Sequence, residues 1–524
     1  MELISTPSLV TAVASIVVYA CVYRWILQRN IRGPKAWPVI GHALEVVAHR
    51  RLIYDGLTDY CRNYFPTFQF RIPGRTFVVT VDPVNVEYIY KTNFNNYWKG
   101  ETEGTPSFDV LGYGFFNTHG DDWRKHRKVA SHEFTSRKLR NYSTQNFKAF
   151  GLRLCDILQE AVNNNEPVSI RDLACRTSFE SICKIGFGND IGLLNRNLPK
   201  APFVEDFDAA SKLSVRRFID PFWKITRFLS IGPEARLKKH IKNLRTFTRE
   251  LVQTRIAEIA AHKQDKPDLL SRYAEAMKKE SFTSNPMKDL QDTVLNYLFA
   301  ARDTTAAAFA WTIYAISREP RVEQKIVEEL MRLEAEGRRE TKTHEGEDDE
   351  NDGADYPDGE FGDFVRLLDH NTVTTKLNYL QATLFESMRL YPPAPINYRV
   401  PIKDDVLPTC GTKVKAGDHV IIASYAQARM PQLWGDDCLE LKPERWLTDG
   451  VFKQESPFKF TIFHGGPRLC MGKESATLLL LITLAMIYRF FTFELAPGEK
   501  VEYIFGITLD IKENGLKMVP RKRS

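Results

Sequence analysis

The chain has 524 residues, of which 43% are hydrophobic and 26% charged, enough apolar material for a large buried core. Its formal net charge of +6 is small for that length and excludes the dense basic stripe of a nucleic-acid binder. Eight cysteines lie scattered at 21, 61, 155, 175, 183, 410, 438 and 470 without a CxxC pair, which argues against a zinc site or a disulfide scaffold. Most of them read as small buried apolar residues in a reducing compartment.

From Leu9 to Tyr23 the chain is apolar apart from small hydroxyl residues, and Trp25, Ile26 and Leu27 prolong the run past Arg24. As a helix rising ~1.5 Å per residue, the stretch is roughly long enough for the ~30 Å hydrocarbon layer of a bilayer. A cleaved signal peptide carries positive charge before its apolar run, whereas here Glu2 precedes it and Arg24, Arg29, Arg32 and Lys35 follow. A helix lying in the interface stays open, but the asymmetry favours one retained transmembrane helix within an anchor over 1–31, with the body on the cytosolic side. In RGPKAWPVIGH, 32–42, Pro34 and Pro38 fix φ and remove donors, so a stiff hinge is expected.

No internal repeat or Pro/Gly/Ser linker divides the remainder, so one large domain is expected over 43–524. Two β-rich runs in PTFQFRIPGRTFVVTV, 66–81, flank Pro73-Gly74 as in a hairpin, and a second β-leaning stretch covers 397–424. Helical patterns cover 289–317, 320–336, 374–390 and 476–490, giving a mainly α chain with small β-sheets. The loop expected at 337–363 contains the acidic string HEGEDDENDGADYPDGEFGD, 344–363, which lacks EF-hand ligand spacing and reads as a disordered, solvated loop.

Four constellations carry chemistry. Trp123 and Arg127 stand at i and i+4 on one helix face, although a packed Trp beside an exposed Arg is the plainer reading. AARDTT, 300–305, puts an acid and two hydroxyls inside an apolar helix, which is costly unless the acid is solvated, paired or functional. Thr304 and Thr305 could equally bond back to the preceding turn. Glu386 and Arg389 are an i,i+3 pair of a kind that is usually a weak surface bridge. In Phe463-x-x-Gly466-x-Arg468-x-Cys470-x-Gly472, glycines allow close backbone approach, backbone donors can stabilise a thiolate, and an arginine stands near.

In this order, FHGGPRLCMG (463–472), the ExxR at 386–389, PERW (443–446) and AARDTT resemble the defining motifs of the cytochrome P-450 superfamily. The resemblance implies a cytochrome P-450 fold holding haem b, with Cys470 as axial iron ligand and Phe463 in the ligand loop. It implies propionate contacts from Trp123, Arg127, Arg468 and Arg399, and a structural charged triad of Glu386, Arg389 and Arg445. Asp303 would help deliver protons for O–O scission and Thr304 would steady bound oxygen. Ala301 stands where the family more often has glycine. The segment after the anchor resembles the proline-rich hinge of microsomal members.

Longer strings, among them TNFNNYWKG (92–100), FESICKIGFGND (179–190) and PERWLTDGVFKQESPFKFTIFHGGPRLC (443–470), are similar to the plant-type fatty-acid ω-hydroxylase clan. By that similarity Phe108, Leu111, Phe115, Phe116, Ala300, Ala394, Ile396, Ile504 and Phe505 line the distal pocket, and their apolar character suits a long acyl chain. The expected reaction is hydroxylation of an unactivated C–H bond, of a fatty acid or related aliphatic chain at or near its terminus. No Gly-rich dinucleotide loop in a βαβ setting and no flavin domain is seen, so reducing equivalents must come from another protein, which the resemblance implies is NADPH-cytochrome P-450 reductase. Arg124, Lys125, Lys128 and Lys473 could form its docking patch, although surface lysines usually mean only solubility. Localisation at the endoplasmic reticulum membrane follows from the anchor. A P-450 oxidising a secondary metabolite such as a terpenoid, a P-450-fold isomerase or dehydratase, and a haem sensor stay as alternatives.

Overall fold

The computed structural model describes all residues except 1–5, 29–30, 38–39, 49–51, 73, 101–102, 135–136, 199–201, 221, 262–267, 280–284, 344–355, 513–514 and 524. Helices dominate, with short strands in small sheets, as composition and periodicity predict. The chain forms two compact units, Met1–Gly100 with Pro395–Leu439 and Ser456–Leu469, and Glu101–Ala394 with Glu440–Glu455 and Cys470–Ser524. The sequence reading expects one body over 43–524. Because the two units interleave along the chain, no linker composition marks their boundary.

The first unit begins with the helix Thr6–Gln28, whose Ile16, Val17, Val18, Tyr19 and Val22 are exposed. Among the described residues no helix is long and apolar enough to cross a membrane, so the transmembrane span expected within 1–31 finds no support in this helix. The five-stranded sheet of this unit is ordered Thr67–Ile72, Arg75–Thr80, His419–Ile422, Asn397–Pro401, Tyr97–Trp98. The expected hairpin pairs Thr67 with Thr80 and Ile72 with Arg75. Its second strand then pairs in parallel with His419–Ile422, which a local pattern could not reveal. Val78, Val86, Ile89, Tyr90, Tyr97, Val420 and Ile422 pack beneath this sheet, the β-branched and aromatic residues that a pleated, half-buried surface favours.

The second unit is built around the long helix Pro286–Ser317. It starts three residues before the predicted 289, because the Asn285 side chain accepts from the Lys288 N–H and Pro286 tolerates the donor-free first turn. It packs on the helix Ile170–Ser181 and on the apolar helix Lys473–Phe490. The helix predicted at 320–336 runs from Pro320 to Thr343, and Glu360–Arg366 is also helical, so both ends of the loop expected at 337–363 are corrected to helix. The physical reasons are an i,i+4 pair, Arg338 to Glu334 at 2.6 Å, and a close approach at Gly337, where a Cβ would lie 2.4 Å from Leu367. The centre of that acidic stretch, 344–355, lies outside the described residues. The pattern at 374–390 resolves into two helices, His370–Thr375 and Asn378–Leu390.

Candidate active site

Cys470 lies three residues before the start of the helix Lys473–Phe490 and is exposed, whereas Cys61, Cys155, Cys175, Cys183 and Cys438 are buried. Surrounding protein pushes the Cys470 thiol up, while the backbone N–H groups of Gly472 and Lys473 and the cations Arg127 and Lys473 pull the other way. Donors aimed at sulfur and nearby positive charge are what a thiolate ligand needs, and a bound metal ion would complete the shift to the ionised form. Arg127 lies on the helix Gly120–Phe134, one turn after the buried Trp123, and the sulfur's charge acts directly on its guanidinium.

The other predicted loop residues belong to the first unit. Phe463 stands beside Phe460, with ring centroids 6.4 Å apart. Gly466 has φ +62, and a Cβ there would lie 2.1 Å from the Tyr90 carbonyl oxygen, so the position requires glycine. Arg399 is buried on the strand Asn397–Pro401, donates to the Tyr398 carbonyl at 2.7 Å, meets His464 Nε2 at 3.1 Å and stands 5.0 Å over the Tyr90 ring. Burial and the cations Arg399 and Arg468 push Lys99 well below the ordinary lysine range. His464 is likewise held well down by burial, Arg399, Lys99 and Arg468. Basic groups pressing on one another in a buried setting fit an anionic ligand such as a haem carboxylate. Sequence reasoning missed Lys99 and His464; His464 sits inside the quoted loop string, but only its contact with Arg399 gives it a role.

In the second unit Asp303 and Thr304 lie on the long helix. Thr304 Oγ1 donates to the Ala300 carbonyl at 2.6 Å, the back-bond foreseen as the plainer reading. Burial raises the Asp303 carboxyl to about 6, the adjacent Arg302 cation lowering it and the carboxylates of Asp208 and Asp510 raising it further. Arg302 Nη1 donates to Asp303 at 2.7 Å and to Asp208 at 2.5 Å. Nothing in the sequence pointed to Asp208, since 94 positions separate it from Arg302.

The ExxR residues are fully buried and Glu386 is the hub: Arg389 donates to both its oxygens at 2.7 and 2.8 Å, and Arg445 at 3.2 Å. The Trp446 indole and the Lys442 backbone N–H add bonds at 2.9 and 3.1 Å. Phe115 packs on Phe116 at 4.7 Å and on Tyr297 of the long helix at 5.3 Å, while the Phe116 N–H donates to Asn296. Ala300, Ala394, Ile504 and Phe505 are half-buried in the second unit; Ile396 belongs to the first.

The family profile described as Cytochrome P450 matches residues 31–348 and 366–518. Cytochrome P450 704B1 of Arabidopsis thaliana is 41% identical over 97% of this chain and 99% of its own length. Cytochrome P450 704C1 of Pinus taeda is 39% identical over 95% and 96%, and a noroxomaritidine synthase of Narcissus aff. pseudonarcissus 32% over 99% and 97%. Matches of this length and identity support one assignment: the chain belongs to the cytochrome P450 family and is a monooxygenase that works with haem b, molecular oxygen and electrons from a redox partner.

Proposed function

We propose that this monooxygenase hydroxylates a fatty acid or related aliphatic chain at or near its terminus, with NADPH-derived electrons delivered by NADPH-cytochrome P-450 reductase. Bound haem supplies the oxygen-activating iron. Cys470 would hold that iron through its sulfur. Trp123, Arg127, Phe463, Arg468 and Arg399 would hold the porphyrin and its carboxylates, the cations by charge-assisted hydrogen bonds. Asp303 carries the proton, on a carboxyl poised at about 6, close enough to working pH to both take and release it. Thr304 Oγ1 spends its own proton on Ala300 and keeps lone pairs for a donor on the other side. Glu386, Arg389 and Arg445 hold the fold and take no part in the chemistry.

The observation that carries the substrate reading is a recess of about 430 Å³ beside the start of the long helix, lined by Phe108, Met287, Arg245, Arg249 and Lys288 among others. Arg245 is engaged by Asp292 at 2.9 Å, and Asp109 by Arg217 and Arg227 at 2.8 and 2.6 Å. Lys288 also acts through its charge on Asp292 and stands 5.3 Å over the Tyr113 ring, so the recess holds the cations Arg245, Arg249 and Lys288 beside Phe108 and Met287, a combination that suits the head of an acyl chain. Lys288 and Thr304 are sixteen residues apart on one helix, about 24 Å at ~1.5 Å per residue, a span of the order of an extended long-chain acid. Between them Tyr113, Phe115 and Phe116 follow the helix through Asp292, Asn296 and Tyr297.

A second reading is oxidation of a secondary metabolite such as a terpenoid, since relatives named noroxomaritidine synthase are 32% and 33% identical over most of this chain. Asp303 and Thr304 together weigh against an isomerase, a dehydratase or a sensor, none of which needs proton delivery to oxygen. Attachment to the endoplasmic reticulum membrane would use the exposed apolar residues of Thr6–Gln28. The test is to reconstitute the enzyme with reductase and NADPH, offer fatty acids, their methyl esters, alkanes and terpenoids, and locate the hydroxyl by mass spectrometry. Terminal products from free acids are expected; none from any acyl chain would overturn the substrate reading.

A further inference from the structure

Behind Asp303 lies a chain of alternating charges. Asp303 and Asp208 share Arg302 Nη1; Arg171 Nη2 stands 3.9 Å from Asp208; and Arg171 grips Asp510 with two bonds of 3.1 and 2.7 Å. The members come from four elements, namely the long helix, the helix Pro202–Ile219, the helix Ile170–Ser181 and the strand Asp510–Ile511. Cys175 is a further titratable group acting on both arginines. Three acids face two bases, so this partly buried set carries one negative charge in excess when all are ionised, an arrangement that favours retention of a proton.

Arg302 is the pivot. Its side chain is 1% exposed and stands 4.9 Å over the ring of Phe207, the residue before Asp208. Of its nitrogens only Nη1 is used, on both acids at once, while Nε and Nη2 have no acceptor among the described residues. A guanidinium dedicated to Asp303 would present its two-pronged face, as Arg171 does to Asp510. Arg302 does not, because Asp208 draws on the same nitrogen.

We propose that Asp208 is a positioning residue for proton delivery: by competing for Arg302 it prevents that cation from locking Asp303 in its ionised form. The inference rests on the reading of Asp303 as the proton carrier and adds the group that tunes it. Removing Asp208's charge leaves Arg302 to Asp303 alone, so the carboxyl gives up its proton at lower pH. Removing Arg302's charge does the reverse.

The experiment is a titration of the Asp303 carboxyl by isotope-edited infrared spectroscopy of the resting holoenzyme, with Asp303→Asn identifying the band. Asp208→Asn should lower the midpoint by roughly one pH unit, and Arg302→Gln should raise it by a similar amount, the range expected of a close charge. Arg302→Lys should return it toward wild type. Should Arg302→Gln fail to fold, Arg171→Gln serves, with a smaller upward shift. Product formed per NADPH, followed against pH, should move with the same midpoints. Midpoints that coincide with wild type, or that move in the same direction in Asp208→Asn and the arginine variants, would overturn the proposal. If Asp303→Asn couples as well as wild type at every pH, the proton-carrier reading fails instead, whatever the midpoints do.

Discussion

The Trp446 indole donates to Glu386 Oε2 at 2.9 Å, the same oxygen that accepts from Arg389 Nε at 2.7 Å. The fully buried Glu386 thus receives bonds from two arginines, an indole and a backbone N–H, so its charge is compensated almost entirely by directed donors.

Loss of one such donor should be felt. Trp446→Phe keeps most of the apolar volume and removes a single charge-assisted bond, so a loss of about 1.5–3 kcal/mol in unfolding free energy is expected. Glu386→Ala leaves buried arginine charge uncompensated and should cost about 3–5 kcal/mol, accompanied by loss of bound haem. Urea unfolding checks both. A Trp446→Phe midpoint equal to wild type would show that the indole bond contributes nothing.

Thr304→Ala should leave folding nearly intact, because the hydroxyl serves only a back-bond that its helix does not need. Catalysis should change more. Product per NADPH should fall several-fold, with peroxide released in its place; equal coupling in the variant would remove the oxygen-handling role from Thr304.

The Asp303 carboxyl also makes stability depend on pH. Its folded value is raised from 3.8 to about 6, so the native state binds the proton more tightly than the unfolded chain. The contribution is fully present below the unfolded value and is lost as pH rises through about 6. Asp303→Asn mimics the protonated form, and its melting temperature relative to wild type should climb between about pH 4 and pH 7. A difference that stays flat or falls across that window contradicts the assignment.

Much of this was legible because local patterns suffice for it. The hairpin at 67–80 needs only two β-rich runs and a turn, and the long helix needs only its apolar period and the Asn285-Pro286 start. The thiol, the acid-alcohol pair and the ExxR pair are each local strings. Asp208, Arg171 and Asp510 were not legible, because charge joins them across elements 94 and 339 positions apart in the chain. Trp446 was quoted within PERW, yet only the fold aims its indole at Glu386. Thr6–Gln28 forms the helix its composition predicts, while among the described residues no helix is long and apolar enough to cross a membrane.

The proposed reductase patch can be probed by charge reversal: Arg124 is already paired with Asp121 at 2.6 Å, and Lys128 is exposed. Lys125→Glu with Lys128→Glu should raise the KM for reductase about tenfold at low ionic strength, and the gap should close as salt is added. An unchanged KM at low salt removes the patch.

The most direct test of the account is the absorption spectrum of the reduced, carbon-monoxide-bound protein. The wild type should show the red-shifted band of a thiolate-held haem, and Cys470→Ser should bind haem without that band. A serine variant that retains it would contradict the assignment of Cys470 as the iron ligand.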